Sequence, residues 1–137
     1  MNLKQLKAEY HEDVKIDTTM LESAAIRIPV LHSKWLGYRA DARQMLLKAE
    51  LKMEKCRKDR WLYYSGKHDD EVCDFIVEKS EMKYALAGDE LLQLATATFQ
   101  HMKDVLSYIE EALKGISQMG FTIKHVIDNR KIESGIV

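Results

Sequence analysis

Seven cations crowd the middle of the chain: Lys48, Lys52, Lys55, Arg57, Lys58, Arg60 and Lys67, with Trp61, Tyr63 and Tyr64 set among the last of them. On a helix, Lys48, Lys52 and Lys55 share one face, whereas Arg57, Lys58 and Arg60 spread around the axis near its end. Cations that neutralise phosphates, beside aromatic planes on which bases stack, are what a single-stranded nucleic-acid site requires. No helix-turn-helix or zinc signature accompanies them, so sequence-independent binding is the form expected and a duplex-reading regulator is disfavoured. A competing reading is a solvated helix face laced to Glu50, Glu54 and Asp59. The aromatics also fit a core or an interface, since Tyr63 continues an apolar stripe and Trp61 can pack under the following turn. Arg60 stands where that stripe should continue, so it either snorkels to the helix end or faces a partner.

Other chemistry is weakly represented. The five histidines, His11, His32, His68, His101 and His125, stand at no metal-ligand spacing. A metal loop at His68-Asp69-Asp70-Glu71 with Cys73 lacks a paired motif elsewhere, so neither a metal nor any other cofactor is expected. Carboxylate pairs such as Asp69/Asp70 and Glu110/Glu111 read as solvated rather than as an acid/base dyad. No Ser/His/Asp order or phosphate-cradling glycine loop is present, and a non-enzymatic protein is expected. Two cysteines, Cys56 and Cys73, cannot build a disulfide framework and fit a reducing compartment. The uncharged stretch around Leu91–Phe99 is too short to span a bilayer, and no basic-then-apolar leader opens the chain.

The formal net charge of −1 conceals a strong asymmetry. Residues 1–26 carry −2, residues 27–68 carry +7, residues 69–111 carry −8 and residues 112–137 carry +2. Such blocks suit an anionic partner for the basic part, or an antiparallel pairing of a basic helix with an acidic one.

The elements that must position the cations follow from periodicity. Asn2 to Val14 reads as a short amphipathic helix through Leu3, Leu6 and Tyr10. A second start, with the form of a capping box, stands at Thr19-Met20-Leu21-Glu22. From there Leu31, Trp35, Tyr38, Ala42, Leu46, Ala49, Met53, Cys56 and Tyr63 recur at helical gaps and predict one long helix to about Tyr64. Pro29 should kink that helix or mark its true start. Ser65 to Asp70 is the clearest turn. Glu71 to Ala87 reads as helical, although Val72–Val77 has the look of a short strand. Asp89 is suited to cap the next helix, whose stripe runs Leu91, Ala95, Thr98, Met102, Val105, Ile109, Ala112 and Ile116, broadened by Leu92, Phe99, Leu106 and Leu113. That helix should stop at Met119, with Gly120 as a left-handed terminator and a last short helix over Thr122 to Glu133. With six glycines and one proline, the expected fold is all-α: a long, kinked helical hairpin with short N- and C-terminal helices. It forms a single domain, 1–137, divided into a hairpin over 1–120 and an apolar tail over 121–137. In that tail Phe121, Ile123, Val126, Ile127, Ile132, Ile136 and Val137 suit docking to a neighbouring subunit, or folding back on the chain's own hairpin.

Four blocks in order, Ser33-Lys34-Trp35-Leu36, Tyr63-Tyr64-Ser65-Gly66, Glu78-Lys79-Ser80-Glu81-Met82-Lys83 and Gly120-Phe121-Thr122-Ile123-Lys124-His125, resemble those of the UvsY family of T-even-type bacteriophages. The resemblance spans essentially the whole chain. It implies a recombination mediator acting in DNA recombination, repair and replication in the cytoplasm of the infected bacterial host. Such a protein binds single-stranded DNA, remodels or displaces the phage single-strand-binding protein and promotes loading of the UvsX recombinase filament. The resemblance further implies a hexamer- or heptamer-like ring assembled through the C-terminal segment, and no membrane partner. The family's basic DNA-binding motif falls on Lys58 and Arg60, and Arg57, Lys55, Lys67, Trp61 and Tyr64 stand beside them. Asp59 departs from the small neutral residue of the family pattern, so it either weakens phosphate contact or turns away to pair with Lys55. The alternative is a helical scaffold or adaptor that self-assembles through its tail and ignores DNA.

Overall fold

The computed structural model describes residues 1–135; the apolar tail residues Ile136 and Val137 lie outside the described residues. Four α-helices follow in order: α1 (Leu3–Asp13), α2 (Leu21–Tyr64), α3 (Met82–Ala87) and α4 (Glu90–Glu133). The described residues contain no strand. The chain divides into two compact units, one of Met1–Ala42 with the chain from Val105 onward, the other of Arg43–Asp104. Helices α2 and α4 each run through both.

In the first unit α1 is capped by Asn2, whose Oδ1 accepts from the Lys4 N–H at 2.9 Å. Its Tyr10 ring stands edge-on to Trp35 of α2, 5.8 Å between centroids, and to Tyr108 of α4, 6.0 Å. Trp35 is fully buried, and its indole N–H donates to Asp13 Oδ2 at 3.0 Å, beside the Lys34–Asp13 ion pair. Val105, Ile109, Ala112, Ile116, Met119 and Ile123 line one buried face of α4. This face explains the largest departure from expectation. Glycine in a helix interior costs only about 1 kcal/mol relative to alanine, and Ile116, Met119 and Ile123 continue the same stripe across Gly120. Burial of that stripe outweighs the local penalty, so α4 runs unbroken to Glu133 and no separate C-terminal helix exists among the described residues.

Helix α2 begins at Leu21, and the Thr19 hydroxyl donates to Asp17 at 2.6 Å, so the capping-box residue is held by the preceding turn. Pro29 lies inside the helix on its exposed side, where water can satisfy the carbonyl it leaves unbonded, so it does not mark the start. The expected stripe is in place: Leu31, Trp35, Ala42, Ala49, Met53 and Arg60 are buried.

In the second unit α2 ends in a Schellman motif. The Lys67 N–H bonds to the Leu62 carbonyl at 2.9 Å and the Gly66 N–H to the Tyr63 carbonyl at 3.2 Å. Gly66 takes the left-handed conformation, φ 76°, that this closure requires. The helix expected over Glu71 to Ala87 shrinks to α3. Val72, Phe75 and Ile76 are exposed, so no packing offsets the poor helix propensity of that β-branched, aspartate-rich stretch, and it forms neither helix nor strand. On α4 the buried stripe starts at Leu92 rather than Leu91, and Leu91 and Thr98 are exposed.

Candidate nucleic-acid interface

The candidate site occupies the last three turns of α2 and the turn after it, all within the second unit. Asp89 organises it. This carboxylate is 4% exposed and divides its oxygens: Oδ1 accepts from the Leu92 N–H at 2.9 Å, and Oδ2 accepts from Arg60 Nε at 2.7 Å and from the Tyr64 hydroxyl at 2.7 Å. One side chain thus caps α4 and ties that cap to the end of α2. Burial alone would raise the Asp89 pKa, but the bonds from Tyr64, the Leu92 N–H and Arg60 hold it below the usual carboxylate range.

Arg60 is itself buried. Its Nη1 reaches Glu71 at 3.2 Å, and its guanidinium lies 4.3 Å from the Tyr63 ring centroid and 5.5 Å from that of Tyr64. Burial works against the guanidinium charge, yet the bonds to Asp89, Tyr64 and Glu71, with the Asp89 charge, together more than offset it and push the Arg60 pKa up. The sequence left Arg60 between the helix end and a partner; here its guanidinium is engaged within the chain, by Asp89 and Glu71. What sequence reading missed is Asp89 as that partner, 29 residues away. The available signal was a cation on an apolar stripe together with a cap residue whose second oxygen needed a donor.

The other candidates separate by exposure. Lys55, Arg57, Lys58, Trp61 and Lys67 are exposed. Lys52, Lys55, Lys58 and Asp59 line a shallow cleft of about 550 Å³. Among the described residues Lys55 and Lys58 have no ion-pair partner. Arg57 makes an exposed pair with Glu54 at 3.2 Å, a contact of small worth that a phosphate can replace. Lys67 sits 5.3 Å from the centroid of Trp61, so cation and aromatic plane share one surface. Tyr64 is different: half-buried, with its hydroxyl on Asp89 and its ring 5.1 Å from Tyr63 and 6.2 Å from Phe75.

Asp59 does not turn to Lys55. Its Oδ1 lies 2.8 Å from His68 Nε2, while His68 Nδ1 accepts from the N–H groups of Asp70 and Glu71 at 3.1 and 3.0 Å. That arrangement places the imidazole proton on Nε2, facing Asp59, and engages both ring nitrogens in shaping the turn. Among the described residues no group of three or more histidine, cysteine or acidic side chains could hold a metal, and no helix is long and apolar enough to cross a membrane.

The expected tail contacts divide in the same way. Phe121, Ile127 and Ile132 are exposed, whereas Ile123 is buried in the first unit and Val126 half-buried.

The family described as recombination, repair and ssDNA binding protein UvsY matches residues 9–136. The recombination protein uvsY of Enterobacteria phage T4 is 36% identical over 136 residues, covering 98% of this chain and 99% of that protein. The crystal structure of the bacteriophage T4 recombination mediator protein UvsY in lattice type II is similar over 98% of both chains, with a TM-score of 0.90 at 36% identity. Lattice type IV of the same protein also gives 0.90, at 33% identity over 96% of this chain and 99% of that one. An all-helical fold, a four-block resemblance and a full-length match agree, and the chain belongs to the UvsY family of recombination, repair and single-stranded-DNA-binding proteins.

Proposed function

We propose that this protein is a recombination mediator, without enzymatic activity of its own, that holds single-stranded DNA on the exposed end of α2. In the cytoplasm of an infected bacterium it remodels or displaces the phage single-strand-binding protein and promotes loading of the UvsX recombinase. The observation that carries this reading is the exposed surface of Lys55, Arg57, Lys58, Trp61 and Lys67 at the end of a helix whose other side is locked by Arg60 and Asp89. Phosphates meet unpaired ammonium groups there, and Trp61 offers a plane for a base. In this reading Lys58 contacts DNA, whereas Arg60 and Tyr64 act as positioning residues through Asp89.

The site is small, and one copy of it binds weakly. We infer a ring-like homo-oligomer, hexamer- or heptamer-like, assembled through the segment after Gly120, with Phe121, Ile127 and Ile132 outward and Ile123 and Val126 supporting them. Repetition around a ring raises effective concentration, so modest contacts together compete with a single-strand-binding protein yet release singly to a recombinase. Fluorescence anisotropy of a labelled oligothymidylate, titrated across salt with wild type and Lys58→Ala, tests the DNA half. Affinity should fall steeply with salt, and the salt slope should shrink by about 1 per subunit engaged in the variant. Absence of binding at low salt overturns the reading in favour of a scaffold.

A further inference from the structure

We propose that the acidic segment 69–78 of one copy of this chain docks into a lysine-rimmed apolar groove on α2 of a neighbouring copy. The inference rests on the self-assembly reading above and assigns it a second contact, distinct from the C-terminal segment. The groove has a volume of about 470 Å³; Met45, Leu51 and Met102 contribute its apolar floor, and Lys48, Lys52 and Lys55 its rim. Among the described residues none of these lysines has an ion-pair partner, and Leu51 is 61% exposed. The segment is its chemical complement. Asp70, Asp74 and Glu78 alternate with Val72, Phe75 and Ile76, and Val72 and Ile76 are 84% and 92% exposed. A monomeric protein rarely leaves both such apolar side chains and an apolar groove of opposite charge open to water.

The occupant comes from another copy because the chain's own segment is held elsewhere. Glu71 is paired with Arg60, and Phe75 lies 6.2 Å from the Tyr64 ring. Tyr64 is thirteen residues past Leu51, about 20 Å along the helix at 1.5 Å per residue. No residue of 69–78 lines the groove of its own chain. Groove and segment are different surfaces, so their contact is head-to-tail, the type that closes into a ring when the rotation allows.

Charge reversal tests this with the full-length protein. Sedimentation velocity is measured for wild type, for Lys48→Glu/Lys52→Glu, for Asp70→Lys/Asp74→Lys, and for all four changes in one chain. Each pair should shift the assembly to smaller species with helicity retained, and the fourfold variant should regain the wild-type sedimentation coefficient. Pair variants that sediment as wild type overturn the proposal, as does a fourfold variant that stays dissociated. Retained assembly with lowered affinity for oligothymidylate overturns it too, and assigns the groove to DNA. A monomeric wild type would overturn the self-assembly reading itself, whereas an assembled wild type with inert pair variants removes only this contact.

Discussion

Lys58 and Arg60 are two residues apart on one helix and stand in different surroundings, one exposed and one buried. Lys58 is exposed and has no ion-pair partner among the described residues, so Lys58→Ala should leave stability within about 0.5 kcal/mol of wild type while lowering DNA affinity and its salt slope. Arg60→Ala instead leaves Asp89 and Glu71 without their cation, and removing one member of a buried pair costs about 3 kcal/mol or more. Urea denaturation of the two variants separates the roles; equal stabilities would refute the division. The Asp89 carboxyl supplies a second expectation. Because its folded pKa is lowered, its contribution is complete above the ordinary aspartate value of about 4 and is lost as pH falls through the lowered value. Asp89→Asn should therefore be less stable at pH 7 and show a flatter loss below pH 4, read from denaturation midpoints between pH 7 and pH 2.

At the scale of elements, two glycines of α4 have opposite meanings. A Cβ on Gly115 would fall 1.9 Å from the Tyr10 hydroxyl and 3.1 Å from its ring carbon, and that ring is held between Trp35 and Tyr108. Gly115→Ala must displace Tyr10, an overpacking cost of about 1–3 kcal/mol that outweighs the gain in helix propensity. A Cβ on Gly120 would meet nothing within 4 Å beyond its own helix backbone and neighbours, and the site is exposed, so Gly120→Ala should stabilise by about 1 kcal/mol. Thermal melts of both variants check the pair of signs. The second result would also show that Gly120 serves no terminating role, in accord with a helix running unbroken to Glu133.

For the whole molecule, truncation at Phe121 is a blunt instrument, because it also removes the buried Ile123 from the core of the first unit. Phe121→Ser/Ile132→Ser removes only exposed apolar surface. It should keep helicity and the unfolding midpoint, reduce the assembly in sedimentation, and weaken DNA binding by loss of multivalency rather than of any phosphate contact. A variant that assembles and binds as wild type does would move the assembly surface away from the tail.

The sequence by itself determined the helical class, the long second helix with its buried stripe from Leu31 to Arg60, the turn at Gly66 and the capping role of Asp89. These depend on near neighbours in the chain, on helical spacing and on local backbone chemistry, which a sequence displays directly. The basic end of α2 was legible for the same reason, and so was the family, since its blocks recur in order. Only the tertiary structure decided the rest. Whether α4 breaks at Gly120 is a contest between a local penalty and burial of Ile116, Met119 and Ile123, and only packing settles its sign. Whether segment 71–80 forms a helix depends on whether a surface covers Val72, Phe75 and Ile76, and all three are exposed among the described residues. The bond of Arg60 to Asp89 belongs here too, because an ion pair across 29 residues has no period and leaves no local pattern.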